Sequence, residues 1–532
     1  MAEGGIELAS GAVSNAFQEQ FTVYTALTRA SEYVWISYCL ADEEGKALAP
    51  SLVFDRLKAI GAISGWRRLE AEPDGAAIAS YIVHPRSTLS ALAGGLRAAI
   101  ADKNEDSLWW QVYNWACGEA AHRRQLEQVV AGLLHRNTID PLPPELAKQM
   151  YMKHGKLRGS VTRFETYQAC PFQYFSRYGL NLQERSVFQL AAPDFGQFLH
   201  AVMKTFGDRI AAQGRLWHDV TPEEAAEYCQ AITAELAPKL QNEILLSSRH
   251  YQHIQSRLEK TAAATVLRLT RFAASSSFTP VALEQSFGRS GADWPPLLLA
   301  LPGGEQVELA GQIDRLDKVT HNSQSYVLIF DYKSGQASLR LSDVVHGLKL
   351  QLLTYLLAVC RVTGDEPEGA LPAGALYCYL KNPKVTAKKM LTDEEVAKER
   401  EKQQKMPGWV LADPAVIKLL DSTIDGWSHY IKVWLKNSAF RSNDRTVKTG
   451  EEFSLLMDHA RQTIITAAQV ILDGQAPIAP YKIKDRTPCL YCSYQAVCQF
   501  DSQLGDNDYR LLPDLADQEA WKVLRGKEEG GK

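Results

Sequence analysis

The chain has 532 residues, 45% hydrophobic and 23% charged, the proportions of a folded protein rather than a disordered or fibrous one. Its 58 Lys and Arg against 62 Asp and Glu give a formal net charge of −4. That balance excludes a globally basic, histone-like DNA binder but leaves room for a local basic channel. At roughly 150 residues per domain the length implies three or four domains, with core enough to need no disulfides.

No apolar run approaches the ~20 residues that a membrane-crossing helix requires. The longest candidates, Tyr326 to Phe330 and Leu352 to Val359, have the lengths of core elements. Met1-Ala2-Glu3-Gly4-Gly5 lacks the basic n-region and apolar h-region of a signal peptide, so a cytoplasmic location is expected. In that reducing compartment nine cysteines are not expected to form a disulfide framework, and clustered ones become metal-ligand candidates.

In chain order, Phe21-Thr22-Val23-Tyr24 reads as a strand and Thr28-Arg29-Ala30-Ser31-Glu32 as a polar helix start. Tyr33-Val34-Trp35-Ile36-Ser37-Tyr38 reads as a second strand. Residues 61 to 150 carry helical patterns and end at the punctuated linker Asp140-Pro141-Leu142-Pro143-Pro144. Helical and strand patterns then alternate through residues 151–505, which hold every chemically suggestive motif. A polar tail, 506–532, closes the chain, and its last residues, Lys527-Glu528-Glu529-Gly530-Gly531-Lys532, are expected to fray. There is no internal repeat.

The most informative segment is Gly311-Gln312-Ile313-Asp314-Arg315-Leu316-Asp317, followed by Tyr326-Val327-Leu328-Ile329-Phe330-Asp331-Tyr332-Lys333. The continuous apolar run predicts a strand buried on both faces. Such a strand should not end in Asp-Tyr-Lys unless those charges meet partners or a metal. Alternation puts Asp331 and Lys333 on one face and Tyr332 on the other. Asp314 falls on the preceding strand of a hairpin whose loop lies near His321 to Gln324. Two carboxylates converging at a sheet edge suit a hard cation such as Mg²⁺, with Lys333 beside it. An isolated Asp-x-Lys triplet is by itself more often a structural ion pair. Glu284, in Val281-Ala282-Leu283-Glu284, is a candidate extra acidic member, but a structural strand position is the favoured reading.

Cys489-Leu490-Tyr491-Cys492, completed by Cys498, forms a C-x2-C-x5-C run, and Cys170 is the best remote fourth thiolate. Four thiolates can hold tetrahedral Zn²⁺ or a [4Fe–4S] cluster, and the spacing leans to the cluster. A group held there would staple the start of residues 151–505 to their end. Cys39, Cys117, Cys229, Cys360 and Cys378 read as small buried hydrophobes.

The Asp314, Asp331-x-Lys333 pattern resembles that of the restriction-endonuclease-like PD-(D/E)XK nucleases. Gln351-x-x-x-Tyr355, on a helix predicted over 343–362, and Gly196-x-x-x-His200, on an amphipathic helix opened by Phe195, are similar to motifs of the RecB-like branch. With the four cysteines, Asn181-Leu182-Gln183-Glu184-Arg185 and Tyr24 to Leu48, the chain resembles the B subunit of the bacterial AddAB (RexAB-type) helicase–nucleases. Cys39 stands where that family is expected to have Pro.

The resemblance implies an α/β fold: a mixed central sheet flanked by helices, with residues 1–60 as the C-terminal part of a helicase-like RecA domain bearing motif VI. Residues 61–150 become a helical connecting region. Asp314, Asp331, the Tyr332 carbonyl and His200 would hold Mg²⁺, Lys333 would stabilise the pentacoordinate phosphate, and Gln351 and Tyr355 would position Lys333 and the DNA strand. Arg158, Arg163, Arg177 and Lys381 are candidates for a DNA groove. No G-x-x-x-x-G-K-[ST] occurs, so no intrinsic ATPase is expected, and Arg29 is expected to be structural. The implied activity is single-strand DNA exonuclease, acting on the 5′-ended strand beside a motor A subunit in a heterodimer that processes double-strand ends for recombination repair. A non-catalytic DNA-end-binding scaffold and a free-standing iron–sulfur nuclease of the Cas4 or Dna2 kind are the competing readings.

Overall fold

The computed structural model describes residues 11–526, except 43–45, 64, 69–74, 106, 186–187, 241–242, 293, 336, 363–368, 382, 384, 388–389, 443, 503 and 505. The expected frayed end at 527–532 and the Glu43-Glu44-Gly45 step of the N-terminal motif lie outside these residues. The chain divides into two compact units, Met1–His135 and Arg136–Lys532. Among the described residues no helix is long and apolar enough to cross a membrane.

The first unit is helical: α1 (Ala12–Thr28), α2 (Leu52–Ala59), α3 (Pro85–Ala101), α4 (Leu108–Gly118) and α5 (Arg123–Leu133). Its core joins Leu89, Leu92 and Leu96 of α3 to Trp109, Val112 and Ala116 of α4 and Leu126 of α5. The expected strand at Phe21–Tyr24 is instead the middle of α1, and the expected helix start at Thr28 is where that helix ends. The β-branched threonines are accommodated because Thr22, Thr25 and Thr28 donate their hydroxyls to the carbonyls four residues back, each at 2.8 Å. Tyr33–Tyr38 forms no strand: these residues are exposed, and among the described residues no neighbouring strand takes up their backbone groups.

The second unit carries α6 (Pro144–Tyr151), α7 (Val161–Ala169), α8 (Ala192–Ala212), α9 (Pro222–Leu236) and α10 (Arg249–Ser275) ahead of its main sheet. That sheet contains β1 (Thr279–Phe287), β2 (Gly311–His321), β3 (Gln324–Lys333), β4 (Leu371–Tyr379), β5 (Gly408–Leu411) and β6 (Val447–Lys448), side by side in sequence order. β1, β2 and β3 form an antiparallel meander, and β3 pairs in parallel with β4. The crossover between β3 and β4 carries α11 (Leu341–Val345) and α12 (Gln351–Val362), and α13 (Gly450–Leu472) follows the last strand. A smaller sheet joins Met152–Lys153, Lys156–Gly159, Gln306–Leu309 and Leu297–Ala300.

Side-chain alternation along β3 decides what sits where. Val327 and Ile329 pack into the core with Leu352, Leu356 and Val359 of α12 and Ile464 of α13. Leu328, Phe330 and Tyr332 face the opposite core, with Phe206 of α8 and Leu269 and Phe272 of α10. A strand clamped between two cores must be apolar on both faces, as its sequence is. The β2–β3 turn is tight, with Asn322 and Ser323 both at positive φ (48° and 62°), which fits a two-residue hairpin. The helix expected over 343–362 is broken between α11 and α12, where Gly347 takes a φ of 72° that continues no helix.

Candidate metal centre

Three strands and one helix build the site. Asp314 lies mid-β2, opposite Glu284 of β1, since Leu283 pairs with Arg315 and Gln285 with Ile313. Asp331 and Lys333 end β3. α8 supplies His200. The Asp194 carboxylate accepts from the Ala191 N–H at the start of α8 (2.7 Å), and Phe198, Leu199, Val202, Met203 and Phe206 anchor the buried face.

The contacts converge. His200 Nδ1 lies 3.0 Å from Glu284 Oε1 and 3.5 Å from Asp314 Oδ1, while Nε2 lies 3.1 Å from the Tyr332 carbonyl oxygen. The Tyr332 N–H donates to Asp314 Oδ2 at 2.6 Å. Lys333 Nζ pairs with Asp331 Oδ2 at 2.5 Å and donates to Gln351 Oε1 at 3.5 Å. Gln351 in turn donates through Nε2 to the Tyr355 hydroxyl at 3.0 Å. Gly311, at the start of β2, lets this assembly close: a Cβ there would lie 2.7 Å from the Phe287 ring and 3.1 Å from that of Tyr355.

Among the described residues, His200, Glu284 and Asp314 place one ligand atom each within 4.8 Å of one another. Asp331 lies outside that triplet, its carboxylate turned to Lys333. Glu284 is the residue that the sequence offered as an extra acidic member but ranked first as structural. Two signals were available: a carboxylate beside the apolar residues Val281, Ala282 and Leu283, and its place upstream of Asp314 in the same acidic stretch of the chain. Glu284 also sits at a φ of 48°, a strained value for a non-glycine residue in a strand, held by Gln312 Nε2 donating to its Oε2 at 2.7 Å.

The electrostatics suit a cation. Burial pushes the Asp331 carboxyl up to about 6, with the Asp314 charge acting the same way and the Lys333 ammonium opposing. Burial disfavours the His200 imidazolium, but hydrogen bonds and charge from Asp314 and Glu284 outweigh it and carry the group up to about 10. A proton on His200 thus compensates acidic charge that a divalent ion could compensate instead, since a ligating imidazole is neutral. Carboxylate oxygens, a carbonyl oxygen and one imidazole form a donor set for Mg²⁺ or Mn²⁺ rather than a soft metal.

A second constellation lies elsewhere in the same unit. Cys170, Cys489, Cys492 and Cys498 line one cavity of about 310 Å³, walled by Phe172, Pro480, Pro488, Phe500 and Tyr509. Burial pushes the thiols of Cys170, Cys489 and Cys498 up, the last to about 11, so a metal centre there must displace their protons. The Asn137 side-chain amide donates to the Cys498 carbonyl at 3.0 Å and steadies that loop. Of the five cysteines expected to be buried, Cys229 and Cys378 are, Cys360 is half-buried, and Cys39 and Cys117 are exposed, because α4 turns Cys117 away from its core and Cys39 lies in no packed element.

The basic candidates have local partners. Arg158 pairs with Glu308 at 2.6 Å, Arg163 stacks 4.4 Å from the Tyr178 ring centre with Arg177 at 5.3 Å, and Lys381 lies 5.4 Å from that of Tyr379.

Residues 158–499 match the PD-(D/E)XK nuclease superfamily, and residues 75–132 match the fifth domain of ATP-dependent helicase/deoxyribonuclease AddB. The chain is 41% identical over 527 residues to the B subunit of the ATP-dependent helicase/deoxyribonuclease of Desulforamulus reducens, covering 98% of this chain and 45% of that protein. It is 36% identical over 531 residues to the protein of the same name from Bacillus subtilis, covering 99% of this chain and 45% of the relative. The counterpart from Geobacillus kaustophilus is 37% identical over 538 residues, with 99% and 46% covered. The chain therefore spans a little under half the length of these curated relatives. With the acidic meander, the Asp-x-Lys strand end and this match over most of its length, the chain belongs to the PD-(D/E)XK nuclease superfamily.

Proposed function

We propose that this chain is a Mg²⁺-dependent deoxyribonuclease that hydrolyses single-stranded DNA exonucleolytically. In this reading it works in the cytoplasm as the B subunit of a two-subunit ATP-dependent helicase–nuclease that processes double-strand ends for recombination repair, with the motor in the A subunit. Degradation of the 5′-ended strand is taken from the family resemblance. The observation that carries the proposal is the convergence of His200, Glu284 and Asp314 beside the Asp331–Lys333 pair at the end of one meander.

His200, Glu284, Asp314, Asp331 and the Tyr332 carbonyl would hold the cation. When bound, a divalent ion there supplies Lewis-acid polarisation of the scissile phosphate and lowers the pKa of a water. Lys333 donates to a phosphoryl oxygen as negative charge develops on it, which stabilises the pentacoordinate arrangement. Gln351 and Tyr355 fix where that ammonium points. Hydrolysis adds one water across a P–O bond, and its proton ends on the departing oxygen or in solvent. Asp331→Ala is expected to abolish Mg²⁺-dependent cleavage of labelled single-stranded DNA while leaving the melting temperature near that of the unchanged chain. Undiminished cleavage would overturn the assignment, and binding without cleavage by the unchanged chain would favour a scaffold.

The four cysteines would hold a [4Fe–4S] cluster, supported by their C-x2-C-x5-C spacing with a remote partner and by the cavity they share. Such a group supplies a covalent cross-link between segments distant in sequence. Anaerobically purified protein should contain iron and acid-labile sulfide in about equal amounts, and stoichiometric zinc without iron would remove the cluster while sparing the nuclease reading.

A further inference from the structure

The first turn of α12 carries Gln351, which meets the Lys333 ammonium, and the acceptor at its start is remote. Helix N-termini leave backbone N–H groups unsatisfied, and Ser, Thr, Asp or Asn normally fills the need. The turn before α12 is His346-Gly347-Leu348-Lys349-Leu350, which contains none of these. The acceptor comes from α7 instead: one carboxylate oxygen of Glu165 takes the N–H of Leu350 at 2.6 Å and of Gln351 at 3.0 Å.

The approach of the two segments is built in. One turn along α7 from Glu165, Gln168 lies against the same connection, where a Cβ on Gly347 would meet its Cγ at 2.8 Å and Thr463 Cγ2 at 2.9 Å. His459 of α13 steadies the other side, with Nε2 3.2 Å from the carbonyl oxygens of both Val344 and Val345. Burial pushes the Glu165 carboxyl up, opposed by the two backbone donors and by the charges of Lys349 and Lys333. Gln351 bridges the two side chains, its backbone N–H on Glu165 and its side-chain oxygen on the Lys333 ammonium.

We propose that Glu165 is a positioning residue of the nuclease centre, fixing the first turn of α12 so that Gln351 holds the Lys333 ammonium where the scissile phosphate must sit. The proposal rests on the nuclease reading above. Glu165 touches neither the metal ligands nor the reacting atoms, so its effect should appear in the chemical step and not in DNA affinity.

The test is single-turnover cleavage of labelled single-stranded DNA by the full chain, with DNA affinity measured separately in EDTA. Glu165→Ala is expected to lower the cleavage rate constant on the order of 10²-fold, the scale of a small misplacement of a catalytic group, with affinity unchanged. Glu165→Gln, which keeps an acceptor oxygen at the same reach, should recover most of the rate. Added to Gln351→Ala, Glu165→Ala should cost nothing more, because both act through one contact. If the Ala variant fails to fold, Glu165→Asp, too short to reach both N–H groups, takes its place in the cycle. A wild-type rate in Glu165→Ala, losses that multiply in the double variant, or a Gln variant as slow as Ala would each overturn the assignment. No cleavage by the unmutated chain would instead sink the nuclease reading, so the two failures are distinguishable.

Discussion

Asp314 and its neighbour Arg315 show how far one position changes a residue's task. Asp314 points into the acidic cluster, whereas Arg315, on the other face of β2, is buried with Asp317 in a two-pronged ion pair, Nε to Oδ1 and Nη2 to Oδ2 both at 2.7 Å. The guanidinium also lies 4.5 Å from the Trp217 ring centre and 5.2 Å from that of Phe330. Removing one partner leaves a buried charge uncompensated, so Asp317→Ala should cost about 3–5 kcal/mol of stability in urea unfolding. A loss under about 1 kcal/mol would show that water reaches the pair. Asp314, Asp331, Lys333 and His200 were legible because charges beside an apolar strand, or at motif spacing on an amphipathic helix, need a reason. Glu165 was not: its role depends on a contact with Leu350 and Gln351, far along the chain, and nothing next to it in sequence announces that.

At the scale of elements, the β2–β3 hairpin was readable because its apolar run and polar turn are local. The failures share a cause. Phe21–Tyr24 and Tyr33–Tyr38 have strand-like side chains, but a strand exists only where another strand takes its backbone groups, and α1 completes its own bonds instead. The break before α12 was hidden because the apolar spacing runs on across it. That junction gives a pH prediction. Burial lowers the His459 pKa below its ordinary 6.5, despite the carbonyls of α11 that it faces. The unfolded chain then binds the extra proton more readily, so this contribution to stability is present above about 6.5 and lost as pH falls through the depressed folded value. The urea midpoint of the unmutated chain should fall between about pH 7.5 and about pH 5.5, and that of His459→Gln should fall less. Equal falls would assign the acid sensitivity to other groups.

On the scale of the whole molecule, every residue of the acidic site and of the cysteine cavity lies within Arg136–Lys532. A fragment of residues 136–532 should therefore fold and retain Mg²⁺-dependent cleavage within roughly tenfold of the full chain, a margin of about 1.4 kcal/mol in the barrier. A folded fragment with no cleavage would place an essential group before residue 136.

The two constellations differ in when they can come into being. β1, β2 and β3 all fall within residues 279–333, so their carboxylates leave the ribosome close together. Cys170 and Cys489 are separated by more than 300 residues. At roughly 5–20 residues per second, the earlier thiol waits on the order of tens of seconds for its companions to be synthesised. Throughout that interval Cys170 is without its three companions, and a group that needs all four thiols can be installed only once Cys498 has been synthesised.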